Sequence, residues 1–322
     1  MMSDLERSQG LAYFGYTPRQ AHFLTLVTLH GGYFLRRQYV QFTGAGHGLA
    51  AVRLLAKAHA HGHIRQLPFG RHGAMFHLCA RPLYAAVGQE HNRNRRPAEW
   101  IAVVRKLMTL DFVLTQPAAQ FWATEEDKSA MLRELGVDER KWPAKRYRPR
   151  HGAKALTTRY FVDKMPWYRE VDDPRLWLAY VNAESTLAGF ETFLREYAAV
   201  LDAVASGVSY VAIGPCRARV GPWFEQRQGH APAPERVFSV PAFLDYCSMR
   251  RDVEMGDLRH LGIADIDRFR ELRRRFAARP FNDLYRRWVH DGDVAVHAAE
   301  ADPPKAQPCA LRVHELSFRY DH

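Results

Sequence analysis

The chain has 322 residues, a net charge of +11 and an apolar share of 47%, an ordinary globular composition with length enough for two domains. Its polar, acidic opening MMSDLERSQG argues against a secretory signal, and with no apolar run of about 18 residues a membrane-spanning helix is excluded. The charge is uneven: residues 1–160 hold 24 Lys+Arg against 11 Asp+Glu, while residues 161–322 hold 22 against 24, so an acidic partner, nucleic acid above all, is expected at the first half.

TPRQAHFLTLVTLHGG predicts a first helix, with Thr17 as cap, Pro18 in the first turn and Gly31-Gly32 at its end. LRRQYVQFTG predicts a second, and GHGLAAVRLLAKAHAHG a third, with Leu49, Val52, Leu55 and Ala56 on the buried stripe and Arg53 and Lys57 facing away. HIRQL and AMFHL alternate around PFGRHG, which reads as a hairpin with a basic tip. Three helices and a hairpin are the layout of a winged helix-turn-helix. RPAEWIAVVRKLMTLDFVLTQ and ATEEDKSAMLRELGV predict two further helices, the second capped by Thr124 with Asp127 three residues on.

RKWPAKRYRPRHGAKALTTR then carries eight Lys/Arg and no acid. In the second half, TTRYFVDKMPWYREV, LWLAYVNAE, VSYVAIGP and ERVFSV read as strands, and STLAGFETFLREYAAVLDAVASG and CRARVGPWFEQRQ as helices; further helices close the globular part. The alternation indicates an α/β domain on a mixed or parallel sheet. The expected division is a winged-helix unit with extra helices over 12–138, a basic linker over 139–158, an α/β domain over 159–298 and a tail over 299–322, with a possible last strand in ALRVHELSFRY.

Base contacts are expected from the start of the third helix, at His47 and Arg53, since Arg can read guanine with two hydrogen bonds. Phosphate contacts are expected from Arg36, Arg37, Lys57, Arg65, Arg71 and His72. Lys145, Arg146, Arg148 and Arg150, interleaved with Trp142 and Tyr147, would follow the backbone from the linker. His59, His61 and His63 alternate across a helix end, so their rings should diverge, and no metal site is expected there. Asp163 and Glu184 each end a predicted strand, as the carboxylates of a metal-dependent nuclease do, but Asn182 and the lack of a following Lys leave that set incomplete. No phosphate loop, nucleophile elbow or C-x-x-C pair occurs. No cofactor is expected, and the four cysteines read as reduced thiols of a cytoplasmic protein.

These segments resemble the replication-relaxation family of plasmids and integrative elements. LRRQYVQFTG, VRLLAKAHAHGHI and MFHL hold the places of its winged-helix motifs. Asp163, Glu184 and Tyr197 hold those of its degenerate, restriction-endonuclease-like core, while Asn182 departs from the usual acidic residue. The resemblance covers residues 15–88 and, more loosely, 156–215. It implies a nucleoid-associated, DNA-binding protein of a mobile element, a transcriptional regulator or an accessory of transfer or replication. The expected partners are double-stranded DNA, a second copy in a homodimer, and a relaxase or other mobile-element protein. The alternatives are a metal-dependent nuclease using Asp163 and Glu184, and a protein-docking module without DNA affinity.

Overall fold

The structure is a computed structural model that describes residues 4–44, 48–70, 73–147, 157–184, 186–204, 206–229, 238–256, 262–276, 279–300 and 309–320. It is a mixed α+β protein whose described residues form three sheets and three apolar cores.

The N-terminal head begins with α1 (Asp4–Gln9) and α2 (Pro18–His30). As the sequence predicts, Thr17 caps α2: its hydroxyl accepts from the Gln20 amide, and the Gln20 side chain accepts from the Thr17 amide. Then come β1 (Tyr33–Leu35), α3 (Arg36–Thr43), α4 (Leu49–Ala60), β2 (Ile64–Pro68), β3 (Ala74–Leu78) and α5 (Arg81–Ala86). The hairpin β2–β3 is as expected, but β1 is an addition. Three residues show no period of their own, and pairing with β3 (Tyr33 with His77, Phe34 with Phe76, Leu35 with Met75) makes them a strand.

In this small sheet, in the order β1-β3-β2, strands β1 and β3 are largely buried on both faces, while β2 is mostly exposed beyond Ile64. Phe34, Ile64, Phe76 and Leu78 join the helices of the head, whereas Tyr33, Leu35 and Met75 join the larger core beyond. The burial of α4 also differs from the expected stripe. Ala51, Leu54 and Ala58 are the buried positions, and Leu49 (57% exposed) and Val52 (46%) face outward.

Helix α6 (Trp100–Leu114) is the spine that joins head to sheet. Leu110 packs into the head core, and Val103, Val104, Leu107, Met108 and Phe112 pack into the larger one. Next are β4 (Gln120–Trp122) and α7 (Glu125–Glu134), the latter capped reciprocally by Thr124 and Asp127. The expected linker is partly ordered: β5 (Ala144–Tyr147) pairs antiparallel with β6 (Thr157–Tyr160) as a two-stranded ribbon.

A five-stranded sheet follows. It takes β7 (Trp167–Glu170), β8 (Asp173–Asn182), then α8 (Ala188–Leu201) and β9 (Ser206–Ile213), in the order β10-β9-β8-β7-β4. The pairs β8–β9 and β9–β10 are parallel, and β7 is antiparallel to both neighbours. Alternation along the strands divides the aromatics between faces. Tyr168 meets Phe112 of α6, and Trp167 meets Tyr197 of α8.

After α9 (Arg217–Gly229), helices α10 (Val240–Met255), α11 (Ile263–Arg275), α12 (Arg279–Asp291) and α13 (Asp293–Ala298) build a separate core around Phe243, Cys247, Leu284 and Val296. The segment 159–298 is therefore a sheet unit plus a helical lobe rather than one α/β domain. In the expected strand ERVFSV, residues 235–237 lie outside the described set. Val240 instead opens α10, because Ser239 caps it and Pro241 suits a first turn. The expected tail is no appendage: β10 (Ala310–Leu316) is an edge strand of the large sheet.

No helix among the described residues is long and apolar enough to cross a membrane. The four cysteines are free.

Candidate functional site

The basic residues of the head separate into those turned outward and those consumed by the fold. Arg53, on the outward face of α4, has no hydrogen-bond or ion-pair partner among the described residues. Arg65 on β2 is exposed as well. Arg36 is exposed and reaches the Gly48 carbonyl at 3.5 Å, a contact that links α3 to the start of α4.

Arg37 and Lys57 correct the expected phosphate set. Arg37 donates both terminal nitrogens to Asp111 (2.9 and 2.6 Å) and one also to the Tyr320 hydroxyl, and its guanidinium stacks 3.6 Å above the Phe318 ring. Lys57 donates to the Gly15 carbonyl at 2.5 Å. Both cations tie chain segments together instead of facing a ligand. His47, Arg71 and His72 lie outside the described residues.

On the ribbon, Lys145 and Arg146 are exposed. Arg159, the cross-strand neighbour of Lys145, is paired with Glu125 at 2.9 Å. Arg148 and Arg150 lie outside the described residues.

The rings of HAHGH do not all diverge as the sequence predicts: His61 and His63 stack, with ring centroids 5.2 Å apart. The His63 ring nitrogen is hydrogen-bonded to the Tyr16 hydroxyl at 2.9 Å in the core, and His59 touches the edge of Phe76. Among the described residues no group of three or more His, Cys, Asp or Glu is placed to hold a metal ion.

Asp163 and Glu184 come to the same end of the large sheet, because antiparallel β7 begins where β8 ends. Asp163 does not end a strand, as the sequence suggested. It lies in a turn between β6 and β7 that the Lys164 amide closes on the Phe161 carbonyl. Phe161 and Lys164 hold φ of 49° and 57°, left-handed values that cost a non-glycine residue on the order of 1 kcal/mol or more each. The Asp163 carboxylate accepts from the Met165 amide at 2.9 Å.

Glu184 is exposed and accepts from Arg105 at 3.4 Å. Asn182, where the resemblance expects an acid, is buried and structural: it donates to the Thr186 carbonyl and the Tyr210 hydroxyl and accepts from the Glu184 amide.

The lysine that the strand sequence lacks comes from another element. Lys128 of α7, 1% exposed, donates to the Met165 carbonyl at 2.6 Å and lies 5.1 Å from the Trp167 ring. Burial holds its ammonium down to about 8, against the opposing pull of Asp163. Tyr197, also buried, is pushed well above its usual range, first by burial and then by Asp163. Lys128 is not among the residues that the sequence singles out, although its place one turn before Met131 and Leu132 marks the buried face of α7.

Two further lysines, Lys164 of this turn and Lys106 of α6, meet beside it. Lys164 donates to the side-chain oxygens of Asn92 (3.1 Å) and Asn94 (3.3 Å), and Lys106 donates to the same Asn94 oxygen at 3.3 Å.

The arrangement offers cations and two carboxylates at one sheet end, and a separate outward helix on the head. Comparison with protein-family models, with curated proteins and with solved structures gives no match to this chain, so the functional reading rests on its own residues.

Proposed function

We propose that this chain binds duplex DNA through its head, working as a winged helix-turn-helix, and that the five-stranded unit is a nuclease-like core kept for dimerisation or a wider footprint. The observation that carries this reading is Arg53, outward on α4 and without a partner among the described residues, in the half of the chain that holds both the β2–β3 hairpin and the positive excess. The contact set becomes Arg53 with Arg36 and Arg65 on the head, and Lys145 and Arg146 on the ribbon. A homodimer on a symmetric site is the arrangement such heads use. A role as regulator or transfer accessory of a mobile element follows from the family resemblance alone.

Fluorescence anisotropy with a random duplex across a salt series tests the reading. Affinity should fall steeply as salt rises. For a site selected from a random pool, Arg53→Ala should weaken binding by about 5- to 150-fold. No binding at low salt would overturn the proposal and leave α4, with Leu49 and Val52 outward, as a surface for a protein partner such as a relaxase.

A second reading, metal-dependent cleavage, is favoured by one observation: the strained turn sets Asp163 beside buried Lys128 at the sheet end that also carries Glu184. It predicts magnesium-dependent nicking that Asp163→Ala abolishes. Equal cutting by parent and variant would remove Asp163 from any such role.

A further inference from the structure

We infer that Lys106 and Lys164 form a seat for one phosphate-class anion, at the junction between the head and the large sheet. Their two ammonium groups reach the same acceptor, the side-chain oxygen of Asn94, at 3.3 Å each. They cannot be further apart than those two bonds laid end to end. Like charges held so close repel, and neither has a carboxylate within ion-pair distance among the described residues.

The surroundings enlarge the positive field. Desolvation of the ammonium is the first cause that lowers both lysines, to about 8, although Lys164 as a whole residue stays exposed. Lys164 then acts on Lys106, and Arg159 and Arg93 act on Lys164. The nearest acid in sequence, Asp163, is turned to the Met165 amide and acts on Lys128.

The pair is held in place from both sides. Asn94, 2% exposed, has its amide nitrogen committed to the Thr28 and Leu29 carbonyls at the end of α2, which aims its oxygen at the lysines. Asn92 adds a second oxygen at 3.1 Å from Lys164 and also accepts from the Asn94 backbone amide. On the far side, Lys164 is delivered by the strained turn, with φ of 57° at a non-glycine residue. Lys106 is steadied over the Tyr33 ring at 5.3 Å.

Each ammonium has three N–H donors. The asparagines take one from Lys106 and two from Lys164, so donors remain on both for an anion bridging the pair. Such an anion relieves the repulsion between the two ammoniums. Two preset ammoniums with no counter-ion among the described residues match a phosphate, whether a free ion or one phosphodiester of a bound strand. The inference does not depend on the head binding DNA, since a free phosphate satisfies it.

The test uses the full chain, its Lys106→Gln and Lys164→Gln variants and the double variant. Thermal unfolding is followed in inorganic phosphate against chloride at equal ionic strength and pH 7. If the seat takes free phosphate, the parent gains about 2–4 °C at a concentration ten times its Kd, and the double variant gains none. If it takes only a backbone phosphodiester, phosphate has no such effect, but the salt slope of duplex binding falls by about one in the double variant. The variants should be no less stable than the parent in chloride, because removing one cation relieves the repulsion. If phosphate acts no differently from chloride and the duplex slope is unchanged, the inference is overturned. If phosphate acts no differently from chloride, loss of the slope with Arg53→Ala but not with the lysine variants would overturn the seat and leave the head reading intact.

Discussion

Replacing Asp111 with alanine is expected to destabilise the protein by about 3–5 kcal/mol, the usual cost of stripping one partner from a buried ion pair. Asp111 is 5% exposed. Its carboxylate accepts from both terminal nitrogens of Arg37, from the Gln38 side chain at 2.8 Å and from the Tyr320 hydroxyl. Three segments far apart in sequence meet on this one group: α3 of the head, the spine α6, and the residues after β10. Its removal leaves the Arg37 guanidinium, 29% exposed at the side chain, uncompensated beside Phe318. Urea unfolding of Asp111→Ala against the parent reads the loss. The double variant Arg37→Leu with Asp111→Leu should recover part of it, because no orphan charge then remains. A single variant as stable as the parent would show that this junction does not hold head and sheet together.

Acid is expected to destabilise the fold through His30. This ring is buried at the end of α2 against Phe121, in an environment that also holds Lys128, Arg7 and Asp127. Burial lowers it to about 3, with Lys128 and Arg7 adding to the effect and Asp127 opposing it. The folded protein thus binds fewer protons here than the unfolded chain between about pH 3 and 6.5, and stability rises with pH across that window. The neutral ring contributes fully above 6.5, and its contribution is lost as the pH falls towards 3. Each pH step of one within the window is worth about 1.4 kcal/mol, so about 2 kcal/mol is gone by pH 5 and on the order of 4 kcal/mol by pH 3. Urea unfolding at pH 7.5 and pH 5 measures it: His30→Leu should lose about 2 kcal/mol less than the parent between the two. Equal losses would mean that the ring takes up its proton inside the fold without cost.

The neighbouring pair explains why the environment is so polar and still folded. Arg7 of α1 makes two hydrogen bonds to Asp127, at 2.8 and 3.1 Å, and both residues are buried. Asp127 also closes the cap of α7. One carboxylate therefore serves a helix terminus, which the sequence announces, and a contact 120 positions away, which it does not.

Helix α4 draws the same line within a single element. In LAAVRLLAKAHA nearly every position is apolar, so two overlapping stripes fit the helical period equally well. The pattern favours the larger side chains of Leu49 and Val52 for the core. The fold buries Ala51, Leu54 and Ala58, and the outward position of Arg53 is common to both choices. Similarly, the eight cations of RKWPAKRYRPRHGAKALTTR read as a solvated linker until Ala144–Tyr147 finds its partner in Thr157–Tyr160.

Whatever depends on near neighbours was legible in the residues themselves. This covers α2 with its Thr17 cap, the β2–β3 hairpin, α6, α7 with its capping box, α8 and the placing of positive charge in the first half. Helix hydrogen bonds and caps close within four residues, so composition and spacing carry them. Features that depend on distant partners emerged only with the folded chain. They include β1 and β4, each three residues long, β10 as a strand of the large sheet, and the loss of Arg37 and Lys57 to internal contacts. The lysines around Asp163 belong with them: Lys106, Lys128 and Lys164 come from two helices and a turn. A strand's pairing and a side chain's counter-ion are chosen by what the fold brings within a few ångströms, and no local period encodes that choice.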